Sequence, residues 1–456
     1  MIKRDIYLQK LINFKDKQLI KVITGIRRCG KSTLLKLYQD YLIKNGVDKK
    51  QIISINFENP DFDEYRDYKS LYNYLKNNLI PNKKNYILLD EIQNVKDYQK
   101  AIDGLFIMEN VDVYITGSNA YFMSGELATL LSGRYIEIQM LPLSFKEYVS
   151  AFENKSDLTT LYKKYLENSS FPYIFELDNN IENIRAYLSG VYNTVILKDV
   201  VSRKNISDVS ALENIIKFMF DNIGNITTPK KISDTMTSKG HKISNHTVEN
   251  YLSALVDSFI LYKAGRYDIK GKQYLETQEK YYLVDIGLRY FLLGSKYIDM
   301  GHILENIIYL ELLRRGYKIY IGKLNSLEID FVAEKNGEIE YYQVAQSVMD
   351  SETLKRELTP LNSIKDHFPK YLITMDNIPN VTHNGIKQLY ALDWLLEIWY
   401  CKKGAYKRTL RFIKVRHISY CPPLPSYFLK YASTISSKNC LNLDFSSTTI
   451  PNVTSL

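Results

Sequence analysis

The sequence predicts an α/β protein whose N-terminal part is built around a parallel β-sheet. Residues 19–25 indicate a strand that leads through a glycine-containing loop into residues 34–44, whose apolar spacing is helical. Two further apolar runs, at residues 85–90 and 111–117, are each followed by polar side chains. The carboxyl ends of parallel strands meet at one edge of a sheet, where ligands bind in α/β folds. We therefore expect a polar edge on this sheet.

Length, charge and cysteine usage limit the kind of protein this is. At 456 residues the chain exceeds what one hydrophobic core usually supports, so two or three domains are expected. Residues 401–456 hold nine Lys and Arg against Asp444, or +8 of the net +9, so the remainder is nearly neutral. The cysteines lack the spacing of a zinc site or a disulfide framework. Without a long apolar run or an apolar N-terminal segment, a cytoplasmic protein without a membrane span is expected.

The loop between the first strand and its helix contains the residue types that bind phosphate. It reads GIRRCGKS, in which Gly25 and Gly30 permit backbone dihedrals that other residues avoid. Its N–H groups and the N-terminus of the helix can surround phosphate oxygens. Lys31 is expected to reach the β- and γ-phosphates of ATP, and the Ser32 hydroxyl is expected to bind Mg²⁺. The predicted nucleotide-binding residues are Gly25, Arg28, Cys29, Gly30, Lys31, Ser32 and Thr33.

Further site residues follow the next two strands. Asp90 is predicted to hold hydrated Mg²⁺, and Glu91 is predicted to polarise the attacking water. Either Ser118 or Asn119, after the third strand, is predicted to sense the γ-phosphate or to position the water. Arg134 could stabilise transition-state charge within one subunit or across a subunit boundary, or it could be a surface arginine that caps a loop.

A family resemblance rests on seven segments that occur in a fixed order. They are TGIRRCGKST, INFEN, YILLDEIQ, ITGSNAYFMSGELATLLSGRY, PLSFKEY, DIKGKQYLETQEKYYLVDIGLR and EIDFVAEKNGE. Together they resemble the prokaryotic AAA+-type ATP-binding proteins with an uncharacterised C-terminal domain. The resemblance covers residues 1–396 and implies an ASCE-type P-loop ATPase core, a winged-helix-like middle and a C-terminal domain similar to restriction-endonuclease-like folds. One departure is NSSFPY, where Gly-Gly is expected before Phe171 and Pro172.

The middle of the chain is predicted to be mostly helical. Residues 143–205 show apolar residues three and four apart, which favours a helical lid over the nucleotide edge. Residues 206–284 show three short helical patterns and then a β-hairpin, as in a winged helix. Polar candidates on the third helix and basic candidates on or near the hairpin are Asn245, His246, Glu249, Asn250, Lys263, Arg266, Lys270 and Lys272. This segment either contacts nucleic acid or has a structural or partner role, since Glu249 would repel phosphate.

The C-terminal part contains an incomplete version of the metal site of the restriction-endonuclease-like folds that the resemblance implies. Such a site needs carboxylates for a divalent metal and a cation near the nucleophile. Glu305 is expected on a helix and Asp330 on a strand, with Gln343 beside Asp330 on the next strand. Gln343 has a carbonyl oxygen but no charge, and Ala345 stands where a lysine is expected. The sequence thus predicts a degenerate site that lacks its cation.

Three interpretations of this degenerate site are open. In the leading one, the fold persists as a binding or scaffold domain without nuclease activity. In the second, Lys355 or Arg356 from the following helix replaces the missing lysine. In the third, Glu305 and Asp330 are ordinary exposed carboxylates. The first predicts that the protein does not cleave DNA in the presence of a metal ion.

The expected organisation has five parts. They are an AAA+ P-loop ATPase core at 1–142, a helical lid at 143–205, a winged-helix-like domain at 206–284, a restriction-endonuclease-like domain at 285–396 and a basic, then Ser/Thr-rich tail at 397–456. The tail is either a nucleic-acid-binding arm or an appended terminus that is disordered past Tyr431.

The leading functional hypothesis is an ATPase whose nucleotide cycle moves its C-terminal domains against a macromolecular partner. One alternative is an ATP-dependent DNA-processing or defence protein that uses metal chemistry at Asp330. The other is a non-hydrolysing interaction module switched by ATP. Expected cofactors are ATP and Mg²⁺. Candidate partners are DNA, another protein and further copies of the chain in an ATP-dependent homo-oligomer.

Overall fold

Two β-sheets organise the residues that the computed structural model describes. These residues are 2–118, 133–153, 157–178, 180–194, 200–201, 206–294, 299–378 and 381–397. Among them, no helix is long and apolar enough to cross a bilayer. The tail predicted at 397–456 lies outside the described residues, except for Glu397.

The first sheet has five parallel strands in the order β2-β3-β4-β1-β5. The strands are β1 (Ile20–Thr24), β2 (Ile52–Asn56), β3 (Asn85–Asp90), β4 (Val111–Gly117) and β5 (Tyr135–Gln139). Every residue of the three central strands, β1, β3 and β4, is buried. A parallel sheet covered on both faces needs apolar residues along nearly the whole strand, and this explains the apolar runs in the sequence. The predicted parallel sheet is confirmed.

Helices cover both faces of this sheet and continue through the rest of the chain. The longer ones are α1 (Asp5–Asn13), α2 (Lys31–Lys44), α3 (Tyr68–Asn77), α4 (Tyr98–Phe106), α5 (Phe145–Ser150), α6 (Leu158–Asn168), α7 (Ile181–Val191), α8 (Val209–Asp221), α9 (Pro229–Ser238), α10 (Asn245–Asp257), α11 (Ile286–Leu293), α12 (Met300–Arg314), α13 (Ser351–Ser363) and α14 (Ala391–Leu395). Ile23 belongs to the same core cluster as Leu34 of α2, whereas its neighbour Val22 belongs to a second core cluster with Leu71 of α3 and Ile102 of α4. Successive residues of β1 therefore serve opposite faces of the sheet.

The second sheet has nine strands in the order β13-β14-β12-β11-β10-β9-β7-β8-β6. The strands are β6 (Ile226–Thr227), β7 (Leu261–Asp268), β8 (Gln273–Leu283), β9 (Lys318–Leu324), β10 (Leu327–Lys335), β11 (Glu338–Ala345), β12 (Lys370–Thr374), β13 (Thr382–His383) and β14 (Ile386–Tyr390). β7 and β8 form the hairpin predicted as a wing, and β7 also pairs in parallel with β9. The predicted boundary between residues 284 and 285 therefore falls within one continuous sheet. The five-part division remains a prediction.

The C-terminal elements place two predicted site residues side by side. Eleven of the fifteen residues of α12 are buried, which brings Glu305 into the interior. β10 and β11 are antiparallel neighbours, and Phe331 pairs with Tyr342. In this register Asp330 lies next to Gln343, as expected from the sequence.

The turn in NSSFPY has the backbone conformation that a glycine would favour. Ser169 has φ +87° and ψ 157°, a region nearly restricted to glycine. Its nitrogen and Cα lie 2.4 Å from the point where a Cβ would stand on Gly287, so only glycine fits at 287. Next to it, the backbone nitrogen and the hydroxyl of Ser170 each donate to Asp285 at 2.6 Å. The departure from the family pattern thus places a strained residue where this turn meets α11.

Candidate active site

The glycine-containing loop at residues 25–30 lies at the carboxyl end of β1 and leads into α2. Gly25 has φ +146°, and a Cβ there would stand 2.1 Å from the Met140 carbonyl oxygen. Gly30, directly before α2, has φ +102°. Side chains rarely tolerate such dihedrals, so the shape of the loop depends on these two glycines.

Lys31, the first residue of α2, reaches back over the loop. Its side chain is 3% exposed, and its Nζ donates to the carbonyl oxygens of Gly25 at 3.0 Å and Ile26 at 3.3 Å. The same Nζ lies 3.5 Å from Glu91 Oε1. A buried ammonium needs partners of this kind. The positive charge is therefore held between the loop and the carboxyl end of β3.

The two carboxylates at the end of β3 are held by hydroxyl groups of β4 and the residue after it. Thr116 Oγ1 donates to Asp90 Oδ1 at 2.6 Å. Ser118 Oγ lies 2.6 Å from both carboxylate oxygens of Glu91. Of the two alternatives predicted after this strand, Ser118 is therefore next to Glu91, and Asn119 lies outside the described residues.

The surroundings shift the two carboxyl groups in opposite directions. Burial raises the pKa of Asp90 above its ordinary value, although a hydrogen bond from Ser32 opposes the shift. Burial acts on Glu91 in the same direction, but the Lys31 ammonium and the hydrogen bond from Ser118 outweigh it, so the pKa of Glu91 lies below its ordinary value. Glu91 is therefore ionised at neutral pH.

A cavity of about 1420 Å³ opens over the loop. The predicted residues that line it are Arg28, Gly30, Lys31, Ser32, Thr33 and Glu91. Cys29 is fully buried. The cavity is also lined by residues 2–6 and by aromatic side chains of the predicted lid, among them Phe152, Phe175 and Tyr187. Residues of the segment predicted as a lid therefore line the same cavity as the loop.

Arg134 is not brought to this cavity. It directly precedes β5, and its carbonyl oxygen accepts a hydrogen bond from the nitrogen of Ile20, the first residue of β1. The loop leaves the other end of β1, which places it about 16 Å away along the strand at roughly 3.3 Å per residue. The Arg134 guanidinium pairs with Asp103 on α4. A contact between Arg134 and a nucleotide on the same loop is therefore absent in this arrangement.

Among the charged residues that line the cavity but were not predicted from the sequence are Arg4, Arg27 and Glu58. Arg4 is 2% exposed, and it donates to Glu147 Oε1 at 2.9 Å and to the Cys29 carbonyl oxygen at 2.8 Å. Arg27 Nη2 lies 2.5 Å from Glu58 Oε1. The signals for the last two were available, because Arg27 precedes Arg28 in the loop and Glu58 lies within the segment INFEN.

The predicted C-terminal residues also come together, with one addition. Lys280 of β8 places its Nζ 3.0 Å from Glu305 Oε1, 2.8 Å from Glu328 Oε1 and 4.0 Å from Asp330 Oδ1. The side-chain oxygen of Gln343 lies 3.4 Å from the Asp330 nitrogen. The expectation of a missing cation is therefore wrong. Lys280 was overlooked because it lies in the hairpin, 50 residues before Asp330.

This C-terminal cluster is mostly buried, and its one lysine faces three carboxyl groups. Burial and the neighbouring Glu305 raise the pKa of Asp330 well above its ordinary value, against the effect of Lys280. Burial would lower the pKa of Lys280, but the carboxylates outweigh it and raise this pKa. Lys355 and Arg356, the predicted replacement cations, are exposed on α13. Within the described ranges no group of three or more His, Cys, Asp or Glu is arranged to hold a metal ion.

Comparisons with known proteins match two segments of the chain to protein families. Residues 17–149 match the family described as "AAA domain", and residues 159–298 match a domain of unknown function (DUF8612). An uncharacterized protein of Haemophilus influenzae is 43% identical over 401 residues, which are 87% of this chain and 99% of that protein. An uncharacterized protein of Methanocaldococcus jannaschii is 32% identical over 358 residues, 73% of this chain and 75% of its own length. The structure of a Walker-type ATPase of Pyrococcus abyssi is 14% identical, covers 64% of this chain and 96% of its own, and has a TM-score of 0.45.

Proposed function

This chain belongs to the same family as the Haemophilus influenzae protein and carries an AAA-type P-loop domain, and from this premise we propose that it binds ATP with Mg²⁺ and hydrolyses it. One observation supports the proposal most. A cation, Lys31, and an ionised carboxylate, Glu91, lie 3.5 Å apart and line one cavity over a loop shaped by two glycines. This is the arrangement that phosphoryl transfer to water requires.

The phosphates of ATP would lie against the loop and the N-terminus of α2. Lys31 would exchange the carbonyl oxygens of Gly25 and Ile26 for phosphate oxygens, since all are acceptors and the phosphates bear more negative charge. The backbone N–H groups at the start of α2 add positive potential at the same place. The cavity is larger than the phosphates alone would need, and it leaves room for the nucleoside beside the helical segment.

The donor set beside the loop fits Mg²⁺, which prefers oxygen ligands and keeps several waters. Ser32 and Asp90 are hydrogen-bonded to each other, so their oxygens already lie within reach of a common ion. Bound there, Mg²⁺ would neutralise charge that develops on the phosphates. Burial raises the pKa of Asp90, and a cation at this position would lower it again.

Glu91 would accept the proton of the attacking water. As the water oxygen bonds to the γ-phosphorus, the bond from this phosphorus to the bridging oxygen breaks, and ADP and phosphate leave. Ser118 would orient the carboxylate through its contacts with both oxygens. When phosphate draws Lys31 away, Glu91 loses its main counter-charge and becomes a stronger base. Asn119 remains the alternative for positioning the water.

Two variants test this proposal. Lys31→Ala removes the charge facing the phosphates, and we expect it to abolish tight ATP binding or turnover. Glu91→Gln keeps the shape but loses the base, so ATP should stay bound while turnover falls by about two to four orders of magnitude. Fluorescent-nucleotide titration and phosphate release measure the two effects. Unchanged affinity and turnover in Lys31→Ala would contradict the site, and tight binding without turnover in the wild type would favour the ATP-switched module.

We also propose that two buried arginines couple the loop, where the nucleotide would bind, to the C-terminal half of the chain. Arg4 donates to the Cys29 carbonyl oxygen in the loop and, at 2.6 Å, to that of Leu141. Arg314 of α12 donates to the next carbonyl oxygen, that of Pro142, at 3.1 Å. A shift of the loop would therefore be transmitted through these hydrogen bonds to α12. Hydrogen exchange of the α12 amides with and without ATP tests this, and exchange that ATP leaves unchanged would argue against the coupling.

DNA is the candidate partner that a specific observation favours. The polar residues predicted for a reading helix, Asn245, His246, Glu249 and Asn250, are all exposed on α10. In the hairpin, however, Lys263 is already paired with Glu279 at 2.9 Å. Steady-state ATP turnover with and without duplex DNA decides between the partners. Stimulation by DNA supports a DNA-processing role, and unchanged turnover favours a protein partner.

A further inference from the structure

An ion pair at the edge of the cavity takes no part in the roles assigned so far. Arg27, in the loop, places Nη2 2.5 Å from Oε1 of Glu58, which lies two residues beyond β2. Both side chains line the cavity together with Lys31 and Glu91, and they are 37% and 48% exposed. Arg27 thus lines the same cavity as Glu91, the carboxylate proposed as the base.

The positive charge of Arg27 lowers the pKa of Glu91. Burial raises the pKa of Glu91, the Lys31 ammonium lowers it most, and Arg27 adds to the lowering. The Arg27 guanidinium of the loop and the Lys31 ammonium at the start of α2 therefore act on one carboxylate. A terminal phosphate at this position would meet both cations.

The other arginines along the cavity are committed elsewhere. Arg4 is buried and bound to Glu147 and to backbone carbonyl oxygens. Arg28 lies 5.7 Å from the ring centre of Tyr187, on the lid side. Arg27 is held by a half-exposed ion pair, and such pairs contribute little net stability because water competes for both charges. The pair between Arg27 and Glu58 can therefore break at low cost.

We propose that Arg27 recognises the terminal phosphate of ATP within the same subunit, by leaving Glu58 for the γ-phosphate oxygens, and that it stabilises the charge that develops there during hydrolysis. This inference rests on the proposed ATPase function. A guanidinium can donate two parallel hydrogen bonds to phosphate oxygens. Before ATP binds, the carboxylate partner would hold the arginine side chain extended and ready for this contact. Arginines in this role raise the rate of phosphoryl transfer by about 10³–10⁵-fold. Glu58 would act as a placeholder that keeps Arg27 in the cavity until ATP arrives.

Comparison of ATP with ADP isolates the terminal phosphate. Titration with fluorescent derivatives of both nucleotides in Mg²⁺, together with phosphate release, is the experiment. For Arg27→Ala we expect ATP affinity to fall about tenfold or more, ADP affinity to stay within about threefold, and turnover to fall by at least about 100-fold. Arg27→Lys keeps the charge but not the paired donors, so its ATP affinity and turnover should lie between those of the wild type and those of Arg27→Ala.

Glu58→Gln gives a result that a structural role would not produce. Loss of the competing carboxylate should tighten ATP binding by up to about fivefold and leave ADP binding unchanged. If the pair only shaped the loop, this variant would weaken both nucleotides. It also serves if Arg27→Ala does not fold, which thermal melts will show. Lys100→Ala is the matched control, since Lys100 forms an exposed ion pair with Asp97 at 3.3 Å and does not line the cavity.

Two outcomes would overturn the inference. One is an Arg27→Ala variant that loses ATP and ADP affinity equally or keeps turnover within about threefold of the wild type. The other is a Glu58→Gln variant with an unchanged ratio of ATP to ADP affinity. In either case the proposed ATPase function stands as long as Lys31→Ala loses binding or turnover. If Lys31→Ala matches the wild type, the proposed function fails and this inference fails with it.

Discussion

Lys280 is the counter-charge for a buried group of carboxylates, and we expect Lys280→Met to destabilise the protein strongly. The Lys280 side chain is 5% exposed, with carboxylate oxygens of Glu328, Glu305 and Asp330 at 2.8, 3.0 and 4.0 Å. Methionine fills a similar volume, so the change removes charge and leaves little cavity. Removing one partner of a buried ion pair costs about 3–5 kcal/mol, because the remaining charge is buried without compensation.

The pH dependence separates this effect from a loss of packing. Without Lys280, the pKa of Asp330, already raised by burial and by Glu305, should rise further. A carboxyl group whose pKa is raised on folding contributes stability below its unfolded pKa, and this stability is lost as the pH rises through the folded pKa. The cost of the substitution should therefore be larger at pH 8 than at pH 5. A packing defect would cost the same at both values.

Urea unfolding at pH 5 and pH 8, followed by circular dichroism, is the assay. Lys263→Met is the matched control, because Lys263 lies in the same hairpin and pairs with Glu279 at 2.9 Å but is 49% exposed. Its substitution should cost about 1 kcal/mol or less. Addition of Glu305→Gln to Lys280→Met should recover part of the loss. A cost below about 1 kcal/mol for Lys280→Met, or an equal cost at both pH values, would refute the reasoning.

Three further outcomes are expected. Ser169→Gly should melt at a higher temperature than Ser169→Ala, because both variants lose the hydrogen bonds of Ser169 Oγ with the Phe171 nitrogen and Asp285, but only glycine relieves the backbone strain of about 1–3 kcal/mol; equal melting temperatures would contradict the strain. The protein should not nick plasmid DNA with Mg²⁺ or Mn²⁺, since Gln343 brings no charge and Lys280 already binds the carboxylates; nicking that disappears in Asp330→Ala would contradict this. Arg134→Ala should leave ATP affinity unchanged, because Arg134 is at the far end of β1. A loss of turnover with unchanged affinity would indicate that Arg134 acts across a subunit boundary. Sedimentation with a non-hydrolysable ATP analogue would test for such an assembly.

The site over the loop could be predicted because its chemistry is local in sequence. Gly25, Gly30, Lys31 and Ser32 lie within eight residues, and glycine is the residue that permits the dihedrals found at positions 25 and 30. The carboxylates of β3 could be added because parallel strands bring their carboxyl ends to one edge whatever the details of packing. The apolar runs of β1, β3 and β4 were sufficient to predict the first sheet, because parallel strands that are covered on both faces are apolar along nearly their whole length.

What the sequence did not determine depends on which strands become neighbours. Lys280 joins Glu305 and Asp330 only because β7 pairs with both β8 and β9, which fuses the hairpin into the C-terminal sheet. The predicted wing and the predicted cation-free site were separate expectations until that pairing united them. Arg134 was likewise a candidate for stabilising transition-state charge, but β5 runs parallel to β1 and so begins at the opposite edge. Local motifs determine which groups a chain offers, and strand pairing over long separations in sequence determines which of them meet, because register and direction are settled only when the whole sheet packs.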